Sequence, residues 1–336
     1  MVTRIFQLLL LLSPICVGTN IDMDMFDITF FRMGIVVLFI AMLFDKARRD
    51  IPRDIRWAMA SLLGLAFISV FIHAFTFAGL HNSLNLFLAI AGLAIVYTHY
   101  DETKSVKGYI LAAAAINLLF YAVQKIGFDP VWNVHPYPGQ EGALLGNQPR
   151  LMTYFAMVTP FLPMPFLALS AVLGYTTKQF VIFISVAIAL FMRLKNKREK
   201  ILFAGMLVVG LILIRGHIYY CLNFRFNTAW TPALKALFKQ PLIGLGLGER
   251  VPELVIVGNS YLQFISGVGI LGAVWLGYAF KETWKKIKNN TESIALISLA
   301  IIACVEYPIE TPRMWFLIIG IVTMYLLKTS AGERAC

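Results

Sequence analysis

The residues best suited to chemistry in this chain are isolated cations accompanied by a few proton-transfer groups. Arg150, Lys178, Arg215 and Arg225 stand apart from the dense Lys/Arg clusters of the sequence. Arginine presents a planar fork of donors that matches phosphate or carboxylate bidentately, whereas lysine acts as a point charge. Near them stand His135, His217, Glu249 and Glu253. A histidine titrates near neutral pH without tuning, while a glutamate needs burial or a neighbouring carboxylate to become a base. His217 is therefore the first candidate. Gly244-Leu245-Gly246-Leu247-Gly248 invites a nucleotide-binding reading but lacks the preceding strand and following helix, so a tight backbone turn is expected instead. Cys16, Cys221, Cys304 and Cys336 show no metal-ligand spacing, and no metal or cofactor is expected.

These groups must be positioned by a chain with little polar surface to spare. Of 336 residues, 59% are hydrophobic and 14% charged, against about a quarter charged in an average soluble domain. Apolar runs fall at residues 5–18, 28–44, 57–77, 84–99, 108–128, 178–194, 201–214, 259–280, 293–306 and 313–327. Their lengths are near what a helix needs to cross a hydrocarbon core of about 30 Å. The expected fold class is all-α: a polytopic transmembrane helical bundle, one integral membrane domain over residues 1–336. Met1 to Val17 has the outline of a signal peptide, and Ile15-Cys16 superficially that of a lipobox. Ile15 is too bulky for lipoprotein processing, so a retained first helix is expected.

The positive-inside rule supplies sidedness. Residues 45–56, 100–107, 193–200 and 281–292, with both termini, carry 19 of the 29 basic residues and are expected to be cytoplasmic. That places 129–150 and 215–258 in the periplasm of a bacterial inner-membrane protein. Most of the net charge of +11 is thus a topology signal, and anchoring beside anionic membrane lipids accounts for the clusters without nucleic acid. Residues 151–174 must then cross an even number of times. Pro160, Pro163 and Pro165 interrupt the segment, so two short helices turning near Pro163 are expected, for about twelve spans in all.

Ten cations remain on the outer side against the bias: Arg32, Lys125, Arg150, Lys178, Arg215, Arg225, Lys235, Lys239, Arg250 and Arg313. Snorkelling to headgroups accounts for Lys125, Lys235 and Lys239. For the arginines together, an anionic ligand is the stronger explanation. Trp230, Ala233, Leu234, Leu237 and Phe238 recur at helical spacing, with Lys235 and Lys239 on another face. This predicts a short interfacial helix that begins near Thr231-Pro232 and ends at Pro241. Glu306 and Glu310 with Arg313 suit a structural ion pair, the functional alternative being a proton or cation site.

From Arg225 through Trp230 and Pro241 to Gly248, and on through Asn259-Ser260-Tyr261-Leu262-Gln263 to Gly267-Val268-Gly269-Ile270-Leu271-Gly272, the chain resembles the O-antigen ligase/polymerase superfamily. An Arg precedes a Trp-containing amphipathic helix, a Pro and a Gly-x-Gly turn; Gly146-Asn147 and Thr177-Lys178 are similar to two further family positions. The resemblance implies about a dozen helices and one large periplasmic loop. It also implies transfer of a glycan from an undecaprenyl-diphosphate (polyprenyl-diphosphate) carrier to a lipid A core, polysaccharide or protein acceptor. On it, Arg225, Arg215, Arg150 and Lys178 clamp the diphosphate, Trp230 and Asn259 contribute to the substrate site, and His217, Glu249 or Glu253 supplies the base.

Three positions depart from the pattern. Gly258 stands where ligases carry His, Thr177-Lys178 replaces Ser-Arg, and one extra residue separates Arg225 from Trp230. Either another group activates the acceptor or the chain performs a different transfer. Two alternatives stay open: a transporter or flippase of lipid-linked glycan, and a catalytically inactive relative. A transporter would need polar residues at several depths, and only Arg32, Asn117 and Gln124 are scattered through the spans.

Overall fold

The computed structural model describes residues 1–14, 30–72, 77–128, 143–145, 148–177, 180–213, 215–246, 259–288, 290–305 and 314–334. Among these residues there is no strand. The helices are α1 (Val2–Leu12), α2 (Phe30–Leu43), α3 (Arg53–Ile72), α4 (Phe77–His99), α5 (Lys107–Lys125), α6 (Gln148–Val158), α7 (Met164–Thr176) and α8 (Phe180–Arg193). They continue as α9 (Lys197–Leu213), α10 (Arg215–Arg225), α11 (Thr231–Lys239), α12 (Ser260–Val268), α13 (Ile270–Lys285), α14 (Thr291–Val305) and α15 (Trp315–Arg334). By length and composition, α3 and α5 can cross a membrane, and shorter apolar helices of 10–17 residues accompany them. Several are apolar all round rather than amphipathic: α9 exposes Ile201, Leu202, Met206, Val208, Val209 and Ile212. Such a surface suits hydrocarbon, not water.

α1 is built into the core. Val2, Phe6, Leu9 and Leu10 are buried, and the helix packs on α2, α4, α5 and α15. Its start is tied down because the Met1 ammonium and the Val2 N–H both donate to Asp45 Oδ2, at 2.5 and 2.8 Å. The ammonium hydrogen bond is the main reason the Asp45 carboxyl is held below its ordinary value. Arg49 donates to the carbonyls of Tyr97 and Tyr100, at 3.2 and 2.7 Å, and pairs with Glu102 at 3.2 Å. It thereby satisfies acceptors that the end of α4 leaves open. Lys286 pairs with Asp54 at 3.1 Å. These contacts join parts of three of the four basic segments, 45–56, 100–107 and 281–292.

The proline-rich segment forms two helices, α6 and α7. They are separated by a 3₁₀ turn at Thr159–Phe161 and by extended backbone at Leu162 and Pro163. Both pack on α8. Arg193, at the end of α8, donates to the carbonyls of Pro160 and Leu162. A cation that reads in the sequence as a topology charge thus also fastens the turn.

One expected span differs. Residues 259–280 form two helices, α12 and α13, that fold back on each other at Gly269, where φ is +76°. Tyr261 meets Phe280, with ring centroids 5.3 Å apart, and Phe264 meets Trp275 at 6.2 Å. A straight helix would hold Tyr261 and Phe280 roughly 28 Å apart. The apex is clasped by the glycine-rich segment: Leu245 N–H donates to Ser266 O, Gly246 N–H to Gly267 O and Ile270 N–H to Pro241 O, at 2.8, 3.0 and 2.8 Å. A Cβ on Gly244 would lie 2.5 Å from the Gly267 carbonyl carbon, and one on Gly269 would lie 2.5 Å from the Leu242 carbonyl. Only glycine permits both the positive φ and this backbone approach. Ser69 donates to Gly267 O at 3.0 Å and Trp275 Nε1 to Ser61 Oγ at 2.9 Å, tying α3 to the hairpin.

Gly269→Ala and Gly244→Ala are each expected to destabilise the purified protein by at least about 2 kcal/mol, from the left-handed backbone and the overlap together. By contrast, Gly205→Ala on α9, where an added Cβ meets nothing within 4 Å, is expected to be neutral or to stabilise by up to about 1 kcal/mol. Thermal unfolding in detergent separates the two cases.

Candidate functional site

α10 passes into α11 without leaving helical backbone, because Arg225 (φ −62°, ψ −41°) and Thr231 (φ −61°, ψ −47°) flank one π-helical turn, Phe226–Trp230. The Thr231 N–H reaches back five residues to Phe226 O. In an α-helix, residues five apart point about 140° away from each other. The wider π turn draws Arg225 and Trp230 toward the same side, and such single turns recur at functional sites. Arg225 is half-buried there, whereas Arg215, at the other end of α10, is exposed.

α11 has the predicted start and end, with Pro232 in its first turn and Pro241 beyond its last. Its placement is different: it packs against α12 rather than lying free on a surface. Ala233 is fully buried, while Phe238, expected on the same apolar face, is 79% exposed. The clasp at the apex explains this. Residues 240–246 bond to residues 266–270, so they draw the C-terminal end of α11 toward that of α12.

This packing encloses polar atoms. Trp230 Nε1, Thr231 Oγ1 and Gln263 Oε1 are buried without a hydrogen-bond partner among the described residues. They supply one N–H donor, one hydroxyl of either sense and one carbonyl acceptor, all within the packed elements running from the π turn to α12. Buried polar groups are nearly always paired; of seven without a partner among the described residues, these three lie on elements that follow or pack on one another, and the others are on Ser83, Asn117, Ser298 and Thr323. Gln263 and Thr231 did not stand out in the sequence. Gln263 is the lone amide in an otherwise apolar and hydroxyl-bearing run, and Thr231 reads only as a helix start. Asn259 serves the fold itself, since its carboxamide oxygen accepts from Leu262 N–H at 2.9 Å and caps α12.

The other anticipated residues are scattered or lie elsewhere. Arg150 is exposed at the start of α6, which packs on α5, α8 and α14, whereas α10 packs on α9 and the π turn. The structure therefore does not join Arg150 to Arg215 and Arg225 by helix packing. Lys178, Glu249, Glu253, Gly258, His135, Glu306, Glu310 and Arg313 lie outside the described residues, as does the side chain of His217 on α10. Arg32 is buried and its Nε donates to Asn85 Oδ1 at 3.0 Å, linking α2 to α4. Gln124 Oε1 accepts from Ala143 N–H at 2.7 Å. Both side chains thus tie neighbouring elements together. Comparison with known proteins gives no match: no family model, curated protein or solved structure aligns with the chain.

Gln263→Leu is expected to raise thermal stability by about 1 kcal/mol or more, because it removes a buried acceptor that no group among the described residues satisfies. Ala233→Leu should lower stability by about 1–3 kcal/mol through overpacking of the α11–α12 seam. A loss of stability in Gln263→Leu would show that its carboxamide is satisfied within the fold.

Proposed function

We propose that this chain is a glycosyltransferase of the bacterial inner membrane, similar to the O-antigen ligase/polymerase superfamily. It takes its glycan from a polyprenyl-diphosphate carrier at the periplasmic face. The observation that carries this reading is the continuity of the motif-bearing stretch in three dimensions. The half-buried Arg225 and Trp230 stand at the two ends of one π turn, α11 follows, and α11 packs on α12, with Thr231 and Gln263 carrying buried polar atoms that have no partner among the described residues. The π turn also accommodates the extra residue between Arg225 and Trp230, since it adds one residue to a helix without breaking it.

The chemistry follows from these groups. An acceptor hydroxyl attacks the anomeric carbon, its C–O bond forms as the bond to the carrier phosphate breaks, and the carrier diphosphate leaves with added negative charge. Arg225 faces that charge, and hydrogen bonds to it strengthen as the site excludes water. The Trp230 N–H, Thr231 hydroxyl and Gln263 carbonyl suit sugar hydroxyls, which both donate and accept. The acceptor proton passes to His217, Glu249 or Glu253. The collected basic end of the bundle supports a cytoplasmic side there, with both termini cytoplasmic and about twelve crossings. In that count α13 makes the crossing while α12 is re-entrant.

Transfer of radiolabelled glycan from the lipid-diphosphate pool, in a strain lacking its own ligase, tests the proposal. Arg225→Lys should lower the rate roughly 10²–10³-fold, as expected when a donor to a developing charge is lost, although the net charge is unchanged. Lys235→Ala and Lys239→Ala should be mild. Full activity of Arg225→Ala at normal abundance would remove the clamp, and unchanged activity of His217→Ala would shift the base to Glu249 or Glu253.

A further inference from the structure

α13 packs on α12 and α3, and α15 on α4, α14 and α1. A cavity of about 280 Å³ is lined jointly by α13, α15, α3 and α4. Tyr325 Oη joins two of its walls, donating to Thr283 O at 3.0 Å. The lining changes character along its length. Asp54, Glu282 and Lys286 stand at the start of α3 and the end of α13, whereas Leu62, Leu93 and Val322 line it further along the helices. Asp54 and Lys286 pair at 3.1 Å, so the charged groups of the two helices meet at the same end. Along α3, Asp54 and Leu62 are roughly 12 Å apart. The slot is therefore charged at one end and hydrocarbon at the other.

The charged end carries both signs, and its groups are not all spent on one another. Glu282 Oε1 takes the Lys285 ammonium at 2.7 Å, while its Oε2 has no partner among the described residues. Arg53, next to Asp54, has no carboxylate partner among them either. It lines an adjoining pocket that shares Asp54, Ala58 and Tyr278 with the slot. Trp57 and Tyr278 stand exposed in that rim, and such aromatics settle at a membrane–water boundary. An occupant that satisfies this lining has an apolar tail and a head of both signs. The head needs an anionic group for Arg53 and Lys286 and a cationic N–H donor for Glu282. A purely anionic head meets two carboxylates, and a quaternary ammonium has no N–H to donate. Phosphate linked to a primary ammonium answers every group.

We propose that the slot between α13 and α15 binds one acyl chain of a zwitterionic glycerophospholipid with an ethanolamine headgroup. Its phosphate lies toward Arg53 and Lys286 and its ammonium toward Glu282. The site uses other elements than the glycan-transfer region around Arg225, and rests on the membrane-embedded part of the functional reading but not on its chemistry. Lipids with other heads fill the slot equally well by their tails, so the discrimination comes from the paired charges at the mouth. Bound there, the lipid fills the space between helices that the Lys286–Asp54 pair and the Tyr325–Thr283 hydrogen bond already hold at that end.

The test is native mass spectrometry of the full chain in detergent, purified from carbonate-washed membranes. It is titrated with phosphatidylethanolamine, phosphatidylglycerol or phosphatidylcholine of identical acyl chains. The expected result is a carbonate-resistant protein that retains one phosphatidylethanolamine in preference to the other two. Glu282→Gln should weaken phosphatidylethanolamine binding roughly fivefold to tenfold and leave phosphatidylglycerol no weaker, while Arg53→Gln should weaken all three lipids by a similar factor. Both side chains stand at the rim, outside the buried core, so both variants are expected to unfold at the parent temperature. Ala58→Phe should block all three lipids by filling the slot, and if it fails to fold the two rim variants decide. Equal retention of the three lipids, a preference for phosphatidylglycerol or phosphatidylcholine, or a preference unmoved by Glu282→Gln would each overturn the lipid site while leaving the membrane reading standing. Release of the chain by carbonate would overturn both.

Discussion

The close approach of Gly244 to Gly269 is the constraint on which the candidate site depends. Two backbones touch where any side chain would overlap a carbonyl, and both glycines take left-handed conformations to do so. The contact permits three backbone hydrogen bonds between residues 241–246 and residues 266–270. With them the glycine-rich segment becomes the strap that draws α11 against α12. Within a membrane such a strap serves a second purpose, because a helix broken in hydrocarbon must find partners for the groups it frees. The carbonyls of Ser266 and Gly267 find theirs in Leu245, Gly246 and Ser69.

The same need for partners is met by side chains elsewhere in the bundle. Two arginines take up backbone acceptors: Arg49 at the end of α4 and Arg193 at the α6–α7 turn. Guanidinium suits this role because its several donors reach two carbonyls at once while staying charged.

Locally encoded features were legible in the sequence, and those set by distant partners were not. Thr231-Pro232 and Pro241 bound α11 because a proline pre-sets a first turn and stops a continuation, wherever the helix ends up packing. Pro163 likewise marked the turn between α6 and α7. The fold-back at Gly269 was invisible, since residues 259–280 form an apolar run of ordinary span length. Its break depends on residues 241–246, which are distant in the sequence. Phe238 shows the same limit: periodicity places it with Ala233 and Leu237, but the angle at which α11 meets α12 leaves it outside. In the candidate site, Arg225 and Trp230 were identified by their types and spacing. Thr231 and Gln263 were not, because an unpaired buried atom is a property of packing, and Asn259 proved to spend its carboxamide on a helix cap.

The central claim is that α12 turns back alongside α13 and so presents its polar residues to α11. Linking Tyr261→Cys to Phe280→Cys with a short bifunctional thiol reagent, in native membranes with the four natural cysteines replaced by serine, tests it most directly. Rings 5.3 Å apart predict rapid, nearly complete crosslinking that leaves the protein folded. Absence of the crosslink in abundant, folded protein would contradict the fold-back, since a continuous helix would hold the two positions roughly 28 Å apart.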